Sequence, residues 1–304
     1  MSWRTQSNQA WLAAVSGVIC DHPLAKHTSF NIGGPADFFV EVAEDRRLRE
    51  LVDGCSERAI PYRLLGAGTN LLVSDGGVEG LVLRCVSRGH RIDGERLYAA
   101  AGIKMMRLAR IAADADLVGF EWAIGVPGTV GGAVYQNAGC WGTELVAVLL
   151  QAEGFAPGKG WEAWPPDRLG LGYRTSAFRD GDLRGHVVTG AWLQLKAGDG
   201  ASGRRLMAKL TAERVRTQPI KTKNCGSVFK NPPGDSAGRL IEAAGMKSAR
   251  EGAAQVSEQH ANFIVNHGGA TAADVARLIE RVQAEVRSRF GVDLETEVER
   301  IGRR

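Results

Sequence analysis

Four glycines and a proline fall within Gly125-Val126-Pro127-Gly128-Thr129-Val130-Gly131-Gly132. So dense a run is expected to form neither a regular helix interior nor a strand interior, because glycine loses the most freedom on ordering and proline lacks an N–H. It offers instead closely spaced backbone donors with no side chains in the way, which is what wrapping a pyrophosphate requires. A second segment of this kind, Gly66-Ala67-Gly68-Thr69-Asn70, follows Arg63 to Leu65 and leads into Leu71-Leu72-Val73. It has the opening of a dinucleotide fingerprint, but Leu71 takes the third glycine position and a strand-like run follows where a helix is needed. A Rossmann unit is therefore excluded. Either loop alone reads as a tight turn. Two of them, each after an apolar segment, point to a dinucleotide-sized ligand.

The chain has 304 residues, 44% of them hydrophobic and 24% charged, enough for two or three domains around a large core. Its net charge of +4 is scattered, with no Lys/Arg block, so no nucleic-acid partner is expected. Five cysteines (Cys20, Cys55, Cys85, Cys140, Cys225) lie far apart without a CxxC pair, and the six histidines form no HExxH pattern. Neither a disulfide framework nor a metal site is indicated. Met1 to Ala14 lacks a signal pattern and no apolar run reaches membrane-spanning length, so a soluble, cytoplasmic chain without membrane insertion is expected.

The first third reads as strands. Ala36 to Val42 alternates, with Phe38, Val40 and Val42 on one face, and Leu81 to Leu83 returns as another strand after an Asp75-Gly76-Gly77 turn. A helix is predicted from about Ile103, burying Met105, Leu108, Ala109 and Ala112; Ala156 to Pro166 reads as a surface connection. The last third turns helical. Ser236 caps a helix burying Ala237, Leu240, Ile241 and Ala244, stopped by Gly245. Thr271 to Asp274 resembles a capping box for a helix with the stripe Val275, Leu278, Ile279, Val282, Val286 and Phe290, and a strand with Val292, Leu294 and Val298 on one face follows. A domain boundary is placed near Lys196 to Gly203.

Thr28-Ser29-Phe30-Asn31-Ile32-Gly33-Gly34-Pro35-Ala36-Asp37 resembles the opening FAD-contact segment of the UDP-N-acetylenolpyruvoylglucosamine reductases. Leu65 to Leu72, with Asp75 and Gly77, is similar to that family's first pyrophosphate loop, and Gly125 to Ala133 followed by Asn137-Ala138-Gly139 to its second. The resemblance runs from about Lys26 to Gly302. It implies an α+β chain: a vanillyl-alcohol-oxidase/PCMH-type FAD-binding fold of two α/β subdomains (1–75 and 76–200) plus a smaller α+β substrate-binding domain (201–304). It also implies non-covalent FAD held by Asn31, Gly33 and Gly34, by Gly66, Ala67, Gly68, Thr69, Asn70 and Leu71, and by Pro127, Gly128, Thr129, Gly131, Gly132, Ala133, Asn137 and Gly139. NADPH as hydride donor, a UDP-sugar substrate and a monomer are implied with it. Ala67 and Thr69 stand where the family has glycine and serine; Ser248 and Ala253 replace glycines, which leaves the loop conformation there open. The length matches the family's short form, which lacks an inserted tyrosine-bearing clamp.

Reducing an enolpyruvyl ether requires a hydride on one alkene carbon and a proton on the other, with negative charge pushed into the carboxylate. The resemblance assigns Arg174, within Gly172-Tyr173-Arg174-Thr175, to that carboxylate, Ser227, within Gly226-Ser227-Val228-Phe229-Lys230-Asn231, to the proton, and Glu297 to the developing enolate as a neutral acid. By themselves these would read as a surface arginine, a turn serine and one of three glutamates (295, 297, 299) on a solvated strand face. Tyr173, Lys230, Asn231 and His260 are the implied substrate contacts, His260 lying in the signature Val256 to Asn266, where polar residues can equally serve structure. An FAD-dependent oxidase would fit the glycine loops equally well but has no reason to assemble Arg174, Ser227 and Glu297. A non-catalytic flavin-binding module would have no need of them.

Overall fold

Alternating and capping patterns organise three apolar clusters. The computed structural model describes residues 3–303. They divide into two compact units, one made of the segment ending at Ile19, Phe38–Ala67 and Gly80–Ala212, the other of Cys20–Asp37, Gly68–Glu79 and the segment from Glu213 onward. The chain leaves the first unit for the last time within the helix Gly200–Thr217.

The first unit contains a five-stranded antiparallel sheet in the order Trp161–Trp164, Leu149–Phe155, Val187–Gln194, Arg96–Ala100, His90–Asp93. The helix Met105–Asp114 buries Met105, Leu108, Ala109 and Ala112, the predicted face. Its neighbours in that core are Leu97, Ala133, Val134 and Leu193. A second cluster joins Val40, Val42, Leu48, Val52, Leu81 and Leu83, and here Tyr62–Leu65 runs parallel to Val78–Cys85. Phe39 is buried as well as Val40, so the strand Pro35–Val42 hides both faces at that point rather than one.

Two predictions are corrected here. Residues 156–166 are not merely a surface connection, because Trp161–Trp164 pairs with Leu149–Phe155 and Trp164 is buried beside Phe178. Gly131 and Gly132 do lie in a helix, Val130–Gln136. Glycine at 131 suits close packing, since a Cβ there would stand 3.0 Å from the Cβ of Ala101, which would have to give by a few tenths of an ångström.

The second unit is built on the helices Ala237–Ala243 and Ala272–Phe290, whose apolar faces form one cluster with Phe30, Ile32 and Phe229. Ser236 caps the first helix, and Gly245 follows at φ +74°. Thr271 and Asp274 form the predicted capping box. Asp75 strengthens that N-terminus, its two carboxylate oxygens accepting from Ala272 N (2.8 Å) and Ala273 N (3.0 Å), which satisfies donors that the helix leaves orphaned. Phe290 departs from the expected stripe and is exposed at the last turn.

The strand expected over 292–298 is shorter and later. Only Glu299–Ile301 is a strand, parallel to Leu71–Val73, while Thr296 makes a single bridge to Phe229. The preceding segment is held by separate bonds to Gln283, Lys230 and Val228 instead of a continuous ladder.

Candidate active site

In the first unit the second glycine loop is fastened to the sheet end. Val130 N and Gly131 N donate to the carbonyls of Ile103 (2.9 Å) and Ala101 (2.9 Å). Thr129 caps the helix, its hydroxyl accepting from Gly132 N at 3.4 Å, and Ala133 is buried with its N–H on the Thr129 carbonyl. Gly66 approaches this cap so closely that a Cβ would lie 2.6 Å from Thr129 Oγ1, so the two glycine loops meet at this point. Gly128 N and Thr129 N meet no protein acceptor among the described residues. Pro127 and Gly132 are exposed, and a Cβ on Gly132 would meet nothing nearer than Thr129 Oγ1 at 3.6 Å.

Arg174 sits at the tip of a tight turn in which Gly172 and Thr175 exchange backbone hydrogen bonds. Its φ is +56°, a left-handed conformation that a side chain adopts at a cost of about 1 kcal/mol. The guanidinium donates to the Gly139 carbonyl (3.2 Å), lies 3.7 Å from Glu144 Oε1, and stands 5.0 Å from the ring centroid of the exposed Tyr173. Asn137 is fully buried at φ +47°, and its amide is engaged within the protein. Sequence reasoning missed Glu144, for which no local signal exists.

In the second unit Phe30 and Ile32 anchor the segment that presents Asn31 (φ +53°) and Gly33. Gly34 and Gly68 are needed for backbone packing: added Cβ atoms would fall 2.1 Å from Asp75 O and 2.0 Å from His27 O. Ser29 N donates to Gly68 O at 3.0 Å. Beyond it, Gly68 N and Thr69 N, like Ala67 N in the first unit, meet no protein acceptor among the described residues. Leu71 begins the short strand, and the Asn70 amide reaches the Glu297 carbonyl at 3.0 Å. Within the first unit, the donors left over at Ala67, Gly128 and Thr129, with Gly132 exposed beside them, fit a pyrophosphate-bearing cofactor.

Ser227 and Glu297 are brought together on neighbouring segments, since Glu297 N donates to Val228 O (2.8 Å) and Phe229 bridges Thr296. Gly226 precedes them at φ +81°, its N–H on Asn224 Oδ1. Glu297 is partly buried, as is Glu299, whereas Glu295 is exposed, and burial pushes the nearby Cys225 thiol up. Lys230 pairs with Glu295 at 3.1 Å, and Asn231 Oδ1 accepts from Ala237 N. Burial, reinforced by Lys247, holds the His260 imidazole below its usual range, and its Nδ1 accepts from Asn262 N. The other polar residues of that signature have structural work. Asn262 makes a two-way pairing with the Phe229 backbone, and Asn266 donates to Phe30 O and accepts from Gly268 N and Ala270 N. Among the described residues no cluster of three His, Cys, Asp or Glu could hold a metal, and no helix is long and apolar enough to cross a membrane.

Residues 36–156 match the FAD binding domain family, and with the fold described above they define an FAD-dependent oxidoreductase of the vanillyl-alcohol-oxidase/PCMH type. Residues 218–301 match the family described as UDP-N-acetylenolpyruvoylglucosamine reductase, C-terminal domain. The UDP-N-acetylenolpyruvoylglucosamine reductase of Rubrobacter xylanophilus is 44% identical over 284 residues, covering 93% of this chain and 94% of the relative. Reductase 2 of Symbiobacterium thermophilum is 45% identical over 278 residues, covering 91% and 89%. The crystal structure of the Thermus caldophilus reductase superposes with a TM-score of 0.79 at 38% identity, over 93% of this chain and 97% of that one. The chain belongs to the UDP-N-acetylenolpyruvoylglucosamine reductase family.

Proposed function

We propose that this protein reduces UDP-N-acetylglucosamine enolpyruvate to UDP-N-acetylmuramate in peptidoglycan precursor synthesis, with NADPH as hydride donor. The observation that carries the reading is a 44% identical reductase matched over nearly the whole of both chains. The pairing of the Ser227 and Glu297 segments supports it.

When bound, FAD supplies the two-electron link between NADPH and the alkene. It is held by Asn31, Gly33, Gly34, the Gly66 to Leu71 loop and the Pro127 to Ala133 loop, with Gly139. Arg174 receives the substrate carboxylate, where two parallel N–H···O bonds oppose the charge that builds up as hydride arrives. Ser227 gives its hydroxyl proton to the adjacent carbon, and Glu297, protonated, donates a hydrogen bond to the developing enolate. Tyr173, Lys230, Asn231 and His260 contact the UDP-sugar. The division into 1–75, 76–200 and 201–304 assigns the last part to substrate. The protein works as a cytoplasmic monomer.

The test is NADPH consumption dependent on the enolpyruvate, with the muramate product identified. Ser227→Ala retains flavin reduction by NADPH and loses turnover by roughly 10²- to 10⁴-fold. Turnover of Ser227→Ala at the wild-type rate would remove serine from the proton step.

A further inference from the structure

We infer that Asn137 and Glu144 are positioning residues that act through Arg174, fixing the guanidinium where the substrate carboxylate is received. The inference rests on the role proposed for Arg174 above.

A strained tip residue needs something to hold it. The turn alone does not: Gly172 and Thr175 close it with two long bonds of 3.2 and 3.3 Å, leaving Tyr173 and Arg174 outermost. Asn137 supplies the hold from below. One Nδ2 hydrogen goes to the Gly172 carbonyl (3.0 Å) and one to Glu144 Oε2 (2.8 Å), while Oδ1 accepts from Val146 N (3.0 Å). Both donors of a wholly buried amide are thereby spent, which fixes its orientation. A side chain so committed works by holding other groups, although the family resemblance places it among the flavin contacts.

Glu144 completes the arrangement. With Oε2 held by Asn137, its Oε1 faces Arg174 Nη1 at 3.7 Å, and Gly139 O meets Nη2 at 3.2 Å. The guanidinium is thus oriented by a carboxylate on one side and a carbonyl on the other. A separation of 3.7 Å attracts without a direct bidentate pairing, the geometry that would compete with an incoming carboxylate. Both side chains are mostly covered, at 16% and 28% exposure, so the attraction is less screened than at an open surface. Asn137 is also the left-handed C-cap of the helix Val130–Gln136. One residue therefore ties the end of the second glycine loop to the arginine turn.

Anaerobic stopped-flow on the FAD-loaded enzyme separates this role from general damage. Glu144→Gln binds FAD and is reduced by NADPH as the wild type is, but its flavin is reoxidised by the enolpyruvate about 10-fold more slowly or worse. Glu144→Asp recovers part of the rate. In an Arg174→Lys background the Glu144→Gln change costs nothing further, because a residue acting through another loses its effect once that other is altered. Wild-type reoxidation by Glu144→Gln, or an equal slowing in both backgrounds, would overturn the inference. If the wild-type flavin is not reoxidised by the enolpyruvate at all, the functional reading fails and this inference goes with it.

Discussion

The Asn70 amide donates a 3.0 Å hydrogen bond to the carbonyl of Glu297, and Glu299 N returns one to the Asn70 carbonyl at 3.0 Å. The end of the first glycine loop and the C-terminal glutamate are therefore held in one register, continued by Leu71–Val73 against Glu299–Ile301. Loss of the Asn70 bond to the Glu297 carbonyl in Asn70→Ala costs about 1 kcal/mol of stability. The larger consequence is at Glu297: kcat is expected to fall by about 10-fold with the KM for NADPH little changed. Steady-state kinetics with thermal unfolding checks both, and an unchanged kcat would separate Asn70 from Glu297.

The glycines divide by what a methyl group would meet, and this yields opposite outcomes for one substitution. Gly34→Ala drives a Cβ to 2.1 Å from Asp75 O and should destabilise the fold by about 2 kcal/mol or more. Gly132→Ala makes only an ordinary 3.6 Å contact with Thr129 Oγ1 and leaves the fold intact, alanine being the better helix former by about 1 kcal/mol. With the pyrophosphate against the exposed face of Gly132, Gly132→Ala folds normally and loses FAD affinity by about 10-fold or more. Denaturant unfolding and flavin titration read the two effects separately.

Ser248 lies at φ +63°, a left-handed conformation that favours glycine, with Ser248 N on the Val256 carbonyl and its hydroxyl on Glu258. A side chain at this φ adds strain. Ser248→Gly is expected to stabilise by up to about 1 kcal/mol, since relief at φ > 0 outweighs the added freedom of the unfolded chain and an exposed hydrogen bond. A urea midpoint that falls instead would show the side-chain bond to dominate.

The caps at Ser236, Thr271 and Asp274 were legible because capping is a local pattern, and the helix from Met105 because its periodicity is. Which glycines pack and which leave room was not, since that depends on backbone far away in sequence: Asp75 opposite Gly34, His27 opposite Gly68. Periodicity alone could not single out Glu297, because strand alternation was assumed through 292–298, where isolated bonds to Val228 and Asn70 hold the chain. Glu144 was invisible for the same reason. Its significance arises only when Asn137 turns left-handed and brings residues 137, 144 and 172 together.

His260 sets a pH dependence with a definite sign. Its pKa is lowered from the ordinary value of 6.5, first by burial and then by Lys247, with a backbone hydrogen bond and Glu242 opposing. Below about pH 6.5 the unfolded chain takes up a proton that the folded state refuses, so stability is lost as the pH falls through this window. His260→Gln is expected to flatten the decline of the melting temperature between about pH 6.5 and 5. An equally steep decline in the variant would assign it to the carboxylates.

The most direct test of the central claim is flavin absorbance followed without oxygen. NADPH is added to the FAD-loaded protein, then UDP-N-acetylglucosamine enolpyruvate. Bleaching by NADPH and rapid recovery on adding the enolpyruvate, with one equivalent of UDP-N-acetylmuramate formed, is the result expected. A reduced flavin that the enolpyruvate leaves bleached, and that only oxygen restores, would contradict it.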